Sequence, residues 1–272
     1  MTRKIWLSVV ILVFGLSKVF SQEVWTLNSE LKITKLSDQV WIVTHSFPWD
    51  SNSLIVKASS QELVLIDTPY TDEATELMLQ FIQKELKPKK ITAILTGFHP
   101  DNLGGTGCLL SHRIPVYGSD RTCQMIDERW ANTQKLMMSW LISPEQERYR
   151  KVYAVMNLEK PDHVFPIERG LFLKIGNLSF EVYFPGESHS PDNLTVYIKE
   201  LSLLFGGCMI KSPESENLGF TGDANLAEWP VSVKKVQDKY SDVNWVIPHH
   251  GKWGDGSLLQ HTLDLLKTSH HE

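Results

Sequence analysis

The order of elements predicts an α/β fold of two halves packed sheet against sheet, and three observations carry that reading. A run of strands followed by helix occurs twice along the chain, the pattern expected when two αβ layers share a core. The 272 residues are 42% hydrophobic and 22% charged, the composition of one compact domain and not of a disordered or collagen-like chain. The 13 prolines and 16 glycines are dispersed, so they punctuate elements without forming linkers. At this length a single core buries roughly 70 to 75% of the unfolded surface, and neither a metal nor a disulfide is needed merely to build it.

Residues Glu30 to Thr34, Val40 to Thr44, Leu54 to Lys57 and Glu62 to Ile66 are short, β-branched and separated by polar turns, which predicts a meander of strands. Thr71-Asp72-Glu73 caps a run with Leu77, Phe81, Ile82 and Leu86 at helical spacing, closed by Pro88. Ile91 to Leu95 is a continuous apolar strand that ends in a loop from Gly97 to Gly105, and strand ends of this kind are where sites are built. Arg121 to Asn157 predicts two helical pieces broken at Ser143-Pro144. Strands return at Leu171 to Ile175, Leu178 to Phe184, Leu194 to Ile198, Leu201 to Phe205 and Val243 to Ile247. A helix opens at Trp229-Pro230, with proline in its first turn, and a last one runs from Ser257 to Leu266.

The amino terminus reads as a removable leader. Thr2-Arg3-Lys4 precedes an apolar run from Ile5 to Leu16, and Val19-Phe20-Ser21-Gln22 offers a small residue for cleavage. That run is short of the ~20 residues that span hydrocarbon, and Lys18 interrupts it. The expectation is a secretory signal over 1–21, a single domain over 22–272 and a periplasmic or secreted protein with no membrane span after cleavage. Cleavage removes Arg3, Lys4 and Lys18, so 27 basic residues become 24 against 32 acidic ones and the formal charge moves from -5 to -8. Such a balance lacks the basic excess that a phosphate backbone demands, so nucleic acid is not an expected partner. Three cysteines, Cys108, Cys123 and Cys208, are an odd number for an exported chain, so at least one thiol stays unpaired or coordinates something. Cys108 and Cys123 read either as core thiols or as one disulfide.

Five metal-competent side chains fall at strand ends or in loops rich in glycine and proline: His99, Asp101, His189, Cys208 and His250. Zinc accepts imidazole, thiolate and carboxylate, and a catalytic zinc uses three such groups while keeping a position for water. Asp101, Cys208 and His250 form such a set, with His249 as an alternative to His250. His45, His112, His163 and His261 lack supporting neighbours and read as ordinary residues, and His270 and His271 as part of a loose terminus.

The segments Asp67-Thr68-Pro69, His99-Pro100-Asp101 with Gly104-Gly105, Gly186 to Asn193, Leu204 to Lys211, Gly222 to Asn225 and Pro248-His249-His250 resemble, in that order, class B metallo-β-lactamases. The resemblance runs from about Leu31 to Leu266, and its Gly206-Gly207-Cys208 segment is similar to the zinc-thiolate branches. Glyoxalase-type and ribonuclease-type relatives carry Asp-His in the first motif, whereas here Asn102 follows Asp101. The resemblance implies a four-layer αββα sandwich with a metal cleft at one edge between the sheets, and a β-lactam substrate. It also implies two zinc ions, one held tightly by Asp101, Cys208 and His250 and a weaker one by His99 and His189. Gly97 departs from the family, which has histidine there in the dizinc branch and asparagine in the monozinc carbapenemase branch. Even outer-sphere losses weaken metal binding by ~10 to 100-fold, so a missing direct ligand implies at least that.

Two mechanisms follow from the resemblance. A zinc at His99 and His189 brings a water toward a pKa of ~7 for attack on the lactam carbonyl. Alternatively, only the Asp101 set is filled, and His99 or Asp101 orients or deprotonates the water. By the same resemblance Lys211 pairs with the substrate carboxylate, while Phe47-Pro48-Trp49 reads as a shortened apolar hairpin over the cleft. Phe220 stands where many dizinc relatives place an asparagine near the carbonyl, and it cannot donate that bond. Thr133 to Asn157, with Met137 and Trp140, reads either as a roof or as core. The expected protein is a monomeric zinc β-lactamase, and its rivals are another zinc hydrolase on this scaffold and a catalytically idle metal-binding relative.

Overall fold

A computed structural model describes residues 22–269. The leader expected over 1–21 and the terminal His270 and His271 lie outside the described residues. Eight strands form the first sheet in chain order: β1 (Val24–Thr26), β2 (Leu31–Lys35), β3 (Val40–Ser46), β4 (Asp50–Lys57), β5 (Glu62–Ile66), β6 (Lys90–Ile94), β7 (Val116–Ser119) and β8 (His163–Phe165). The first five pair antiparallel and the last four run parallel, with β5 belonging to both stretches. The second sheet contains β9 (Leu171–Ile175), β10 (Leu178–Tyr183), β11 (Thr195–Ile198), β12 (Leu203–Gly207) and β13 (Trp245–Pro248), in the order 13-12-11-10-9. Only its β12–β13 pair is parallel.

Alternation along the strands builds three cores from two sheets. Val40, Ile42, Leu54, Val56, Val64 and Ile66 face Phe180, Val182, Val196, Ile198, Phe205 and Ile247 in one cluster between the sheets. Their neighbours Val43, Ile55, Leu63 and Leu65 point the other way, into a cluster with Ala74 and Met78 of α1 (Asp72–Phe81). Leu109 of α3 (Thr106–Ser111) belongs to that cluster, and so do Met125 and Trp130 of α4 (Asp120–Trp140) and Tyr153 of α5 (Glu147–Val155). On the far side, Leu204 and Val246 pack on Trp229 and Val233 of α6 (Trp229–Lys239) and on Leu259 and Leu263 of α7 (Ser257–Ser269). Strands covered on both faces read as unbroken apolar runs, as Leu63 to Ile66 does. The four-layer αββα sandwich follows: helices, sheet, sheet, helices.

Most elements lie where the sequence places them, and the break between α4 and α5 falls at Ser143-Pro144 as expected. The first helix is shorter than its periodicity suggests, because Ile82–Leu86 opens into a wider π-type turn before Lys87 in the left-handed region. The sequence reading did not find β1, β7, β8, the four-residue α2 (Pro100–Leu103) or the six-residue α3. Each is six residues or fewer, too short for periodicity to register. All three cysteines are free thiols, which settles the Cys108 and Cys123 alternative against a disulfide.

Candidate metal centre

The parallel strands of the first sheet and the β12–β13 pair of the second end at the same edge of the sandwich, and the chemistry-bearing loops leave from there. His99 precedes α2, whose first position is Pro100, so Asp101 falls in the first turn. Cys208 follows β12, where Gly207 takes a positive φ of 57° and the register with β13 shifts. His249 and His250 follow β13. That loop is pinned across the sheets by Asn52 of β4, whose amide donates to the carbonyls of Pro248 (3.1 Å) and Gly251 (2.8 Å) while its backbone N–H donates to the His249 carbonyl (2.6 Å).

The structure brings Asp101, Cys208 and His250 together with His249, and one possible donor atom from each lies within 4.8 Å of the others. His250 Nε2 is 3.1 Å and His249 Nδ1 2.8 Å from the same Asp101 oxygen. Cys208 Sγ is 3.2 Å from His249 Nδ1 and 3.6 Å from Asp101 Oδ2. Burial and the Asp101 charge push the Cys208 thiol up, but the two imidazoles outweigh them and hold it at about 6. Asp101 is likewise held well below the carboxylate range against its burial, chiefly by His249 and then by His250. Burial lowers His250, and bonds to Asp101 and Cys208 reverse that and lift it to about 9. Its side chain is 40% exposed, so water screens part of that pull.

His99 and His189 face each other beside this group, their ring centroids 5.2 Å apart. His99 Nε2 is engaged by Asp223 Oδ2 at 3.0 Å, which leaves Nδ1 to other partners. Thr133 (3.2 Å) and Arg129 (3.1 Å), both on α4, hold the same carboxylate. Burial alone would lower His99; the Asp223 bond, with Cys208 and the Asp101 charge behind it, lifts it to about 10. His189 has no acid of its own, so burial, with the charges of Lys211 and His99, keeps it well below its ordinary value. Its Nδ1 is buried without a hydrogen-bond partner. The His189 loop is held by Asn193, whose side-chain oxygen accepts from Ser188 Oγ and Ser190 N, and by Asp192, which accepts from Ser190 and Thr122. Gly97 sits against Asn193 and Asn102; a Cβ there would lie 3.2 to 3.4 Å from their amide groups.

Of these residues His99, Asp101, His189 and His250 line a cleft of about 980 Å³, together with Trp49, Met137, Trp140, Lys211 and Phe220. An aromatic roof crosses it: Trp49 meets Trp140 at 5.9 Å, Trp140 meets Phe220 at 5.4 Å, and Phe220 lies 5.7 Å from His99 and 6.0 Å from His189. Segment 133–157 is therefore both roof and core, since Trp140 is exposed to the cleft whereas Met137 also belongs to the buried cluster. Lys211 is buried, with its Nζ 5.2 Å from the Trp229 ring centroid, and desolvation lowers its ammonium to about 8.

One expected substrate contact is not in the cleft. Phe47 is 8% exposed and packs among Tyr70, Tyr149 and Tyr153, so of the Phe47-Pro48-Trp49 segment only Pro48 and Trp49 reach the lining. Asp223 is the residue whose place the sequence does not signal, although it stands in the Gly222 to Asn225 segment. His249, expected only as an alternative to His250, lies in the group together with it.

Comparisons with known proteins match this fold in sequence and in structure. Residues 47–265 fit the family described as the Metallo-beta-lactamase superfamily. A metallo-beta-lactamase type 2 of Bacillus cereus is 30% identical over 255 residues, covering 92% of this chain and 86% of its own. One from Elizabethkingia meningoseptica is 28% identical over 263 residues, covering 94% and 92%. Among solved structures, a metallo-beta-lactamase from Pontibacter korlensis superimposes with a TM-score of 0.73 at 35% identity, over 88% of this chain and 99% of that one. The DIM-1 metallo-beta-lactamase exposed to ceftazidime superimposes with a TM-score of 0.72 at 28% identity, over 88% and 98%. With two αβ layers, a loop-built edge and a family match over most of its length, this chain belongs to the metallo-beta-lactamase superfamily.

Proposed function

We propose that this protein is a zinc-dependent β-lactamase that opens the four-membered amide of β-lactam antibiotics. The observation that carries this reading is the convergence of Asp101, Cys208 and His250 within 4.8 Å, at the wall of a cleft that also holds Lys211. The donor chemistry fits zinc: a thiol already held at about 6, a carboxylate and imidazole form one set. The orphaned Nδ1 of buried His189, on a ring kept neutral, supports a second, weaker position with His99. The relatives named above, one of them exposed to ceftazidime, support the substrate class.

When bound, zinc would polarise the lactam carbonyl and make a water acidic enough to attack at neutral pH. The chain's own residues do the rest. Lys211 offers an ammonium to the carboxylate on the lactam-fused ring, in a pocket where desolvation strengthens the pair. Trp49, Trp140 and Phe220 cover the apolar side of the substrate and exclude water. Asp223, with Arg129 and Thr133, fixes the His99 ring so that Nδ1 faces the reacting centre and can orient a water there. Asp101 Oδ2, already the acceptor for two imidazoles and so a weak base, can help orient that water. Phe220 donates no hydrogen bond, so oxyanion stabilisation falls to the metal or the backbone.

The reading includes a monomer exported to the periplasm or beyond after removal of 1–21, acting on a small molecule with no nucleic-acid partner. None of the described helices is long and apolar enough to cross a membrane. Export is tested by sequencing the amino terminus of the cell-made protein, which should begin at Gln22. Activity is tested by turnover of a penicillin, a cephalosporin and a carbapenem with and without chelator. Chelator-sensitive hydrolysis is the expected result, and chelator-resistant hydrolysis overturns the zinc mechanism. Because Phe220 packs over both His99 and His189, a panel of lactones and thioesters belongs beside the lactams. Turnover confined to that panel would instead identify another zinc hydrolase.

A further inference from the structure

We propose that His249 is a fourth protein ligand of the cation held by Asp101, Cys208 and His250, oriented by Asp67 at its second nitrogen. The assignment rests on the metal reading of this site and adds to it. His249 Nδ1 lies 2.8 Å from Asp101 Oδ2 and 3.2 Å from Cys208 Sγ, so it shares the space in which those donors meet. The side chain has no exposure at all. Its backbone is fixed on both sides, since the His249 N–H donates to the Gly207 carbonyl at 3.0 Å and the His249 carbonyl accepts from Asn52 at 2.6 Å. The ring therefore stays inside the site.

The other nitrogen completes the pattern. Nε2 is 3.3 Å from Asp67 Oδ2, within ion-pair distance although no hydrogen bond is aligned there. Asp67 is itself immobilised by the Thr96 N–H (2.7 Å), the Thr96 hydroxyl (2.6 Å) and the Asn102 amide (3.1 Å). A metal-bound histidine characteristically presents its second nitrogen to a carboxylate, and Asp223 stands in that relation to His99. Asp67 would do the same for His249. A thiolate, a carboxylate and two imidazoles fill a tetrahedral set, which is the composition of a closed site and not of an open one. The cation at this position is then anchored by protein alone, and the place for a reacting water shifts toward His99 and His189.

The test loads the metal-free protein with one equivalent of zinc or cobalt and reads coordination, not turnover. X-ray absorption of the wild type should count one sulfur and two imidazoles around the ion; one sulfur and one imidazole overturns the assignment. That measurement needs no variant, so it stands even if substitution of so buried a ring prevents folding. Competition with a chromophoric chelator should show His249→Ala and His249→Gln weakened at least ~10-fold for zinc, with thiolate-to-cobalt absorption altered in the cobalt form. Zinc affinity within about twofold of wild type in both folded variants also overturns it. Cys208→Ser is the control that separates the two levels. If Cys208→Ser binds zinc as the wild type does, the metal reading of the site fails; if it loses zinc while His249→Ala does not, only the role of His249 fails.

Discussion

Two clusters in this molecule contain the same chemical groups and behave in opposite ways. At the cleft, Cys208 Sγ lies 3.6 Å from a carboxylate oxygen of Asp101; between α1 and α3, Cys108 Sγ lies at the same 3.6 Å from Glu76, with His112 completing a thiol, acid and imidazole set. Yet the Cys208 thiol is held at about 6 and the Cys108 thiol is pushed up to about 12. Burial raises both. The difference is where the imidazoles sit: His249 is 3.2 Å from Cys208 Sγ, whereas His112 bonds the Glu76 carboxylate at 2.7 Å and leaves Cys108 facing acids. His112 and Glu76 are also nearly half exposed, so solvent weakens what they could do. The same three groups thus favour the thiolate only where an imidazole reaches the sulfur. A third environment extends the contrast. His45 is buried beside Phe47 and Tyr70 and its Nδ1 accepts the Tyr70 N–H, so burial lowers it to about 4, while buried His99 beside Asp223 rises to about 10.

The largest expected effect separates the two thiols. Cys208→Ser should lower zinc affinity and β-lactam turnover by roughly 100-fold or more, since a direct ligand is lost, whereas Cys108→Ser should leave both within about twofold. Equal losses in a chelator competition and a chromogenic cephalosporin assay would erase the distinction between the clusters. Next comes Asp223→Ala, which frees His99; a fall of ~10 to 100-fold in turnover or in second-zinc affinity is expected, with the melting transition retained. Gly97→His asks whether the weaker position can be completed. Its Cβ meets only asparagine side chains at 3.2 to 3.4 Å, which can give by a few tenths of an ångström. Zinc titration should therefore show the second equivalent bound about 10-fold more tightly, and an unchanged titration counts against His99 and His189 as a pair.

The smallest effect concerns His45. Its folded-state pKa of about 4 lies below the ordinary 6.5, so the unfolded chain binds the extra proton between those values. The stability it contributes is fully present above pH 6.5 and is lost as pH falls toward 4. Chemical denaturation across that window should show the wild type losing up to about 3 kcal/mol more than His45→Gln. Parallel pH curves for the two proteins would show that burial is not what governs this imidazole.

Local residue patterns explain why so much of the frame was legible beforehand. Leu63 to Ile66 is apolar on both faces because helices lie on one side and the second sheet on the other, and Thr71 caps α1 by accepting the Ala74 N–H. The ligand candidates were legible for a related reason: the loops that carry them must turn sharply at strand ends, so glycine and proline mark them. Phe47 was misplaced because its environment comes from Tyr149 and Tyr153 on α5, about a hundred positions away. Asp223 carried no visible role because its partners, His99 and Arg129, belong to other segments.

The sequence by itself determined which residues can bind a metal, which strands are buried and where the loops break, since those depend on side-chain chemistry and on periods of two or about 3.6 residues. Only the tertiary structure decided that His249 joins the Asp101 group, that Asp223 holds His99, and that Cys108 has the components of a site without its electrostatics. Those outcomes depend on distances of 2.8 to 3.6 Å between residues separated by 32 to 148 positions. No local pattern encodes such distances, because the packing of sheet on sheet and of helix on helix sets them.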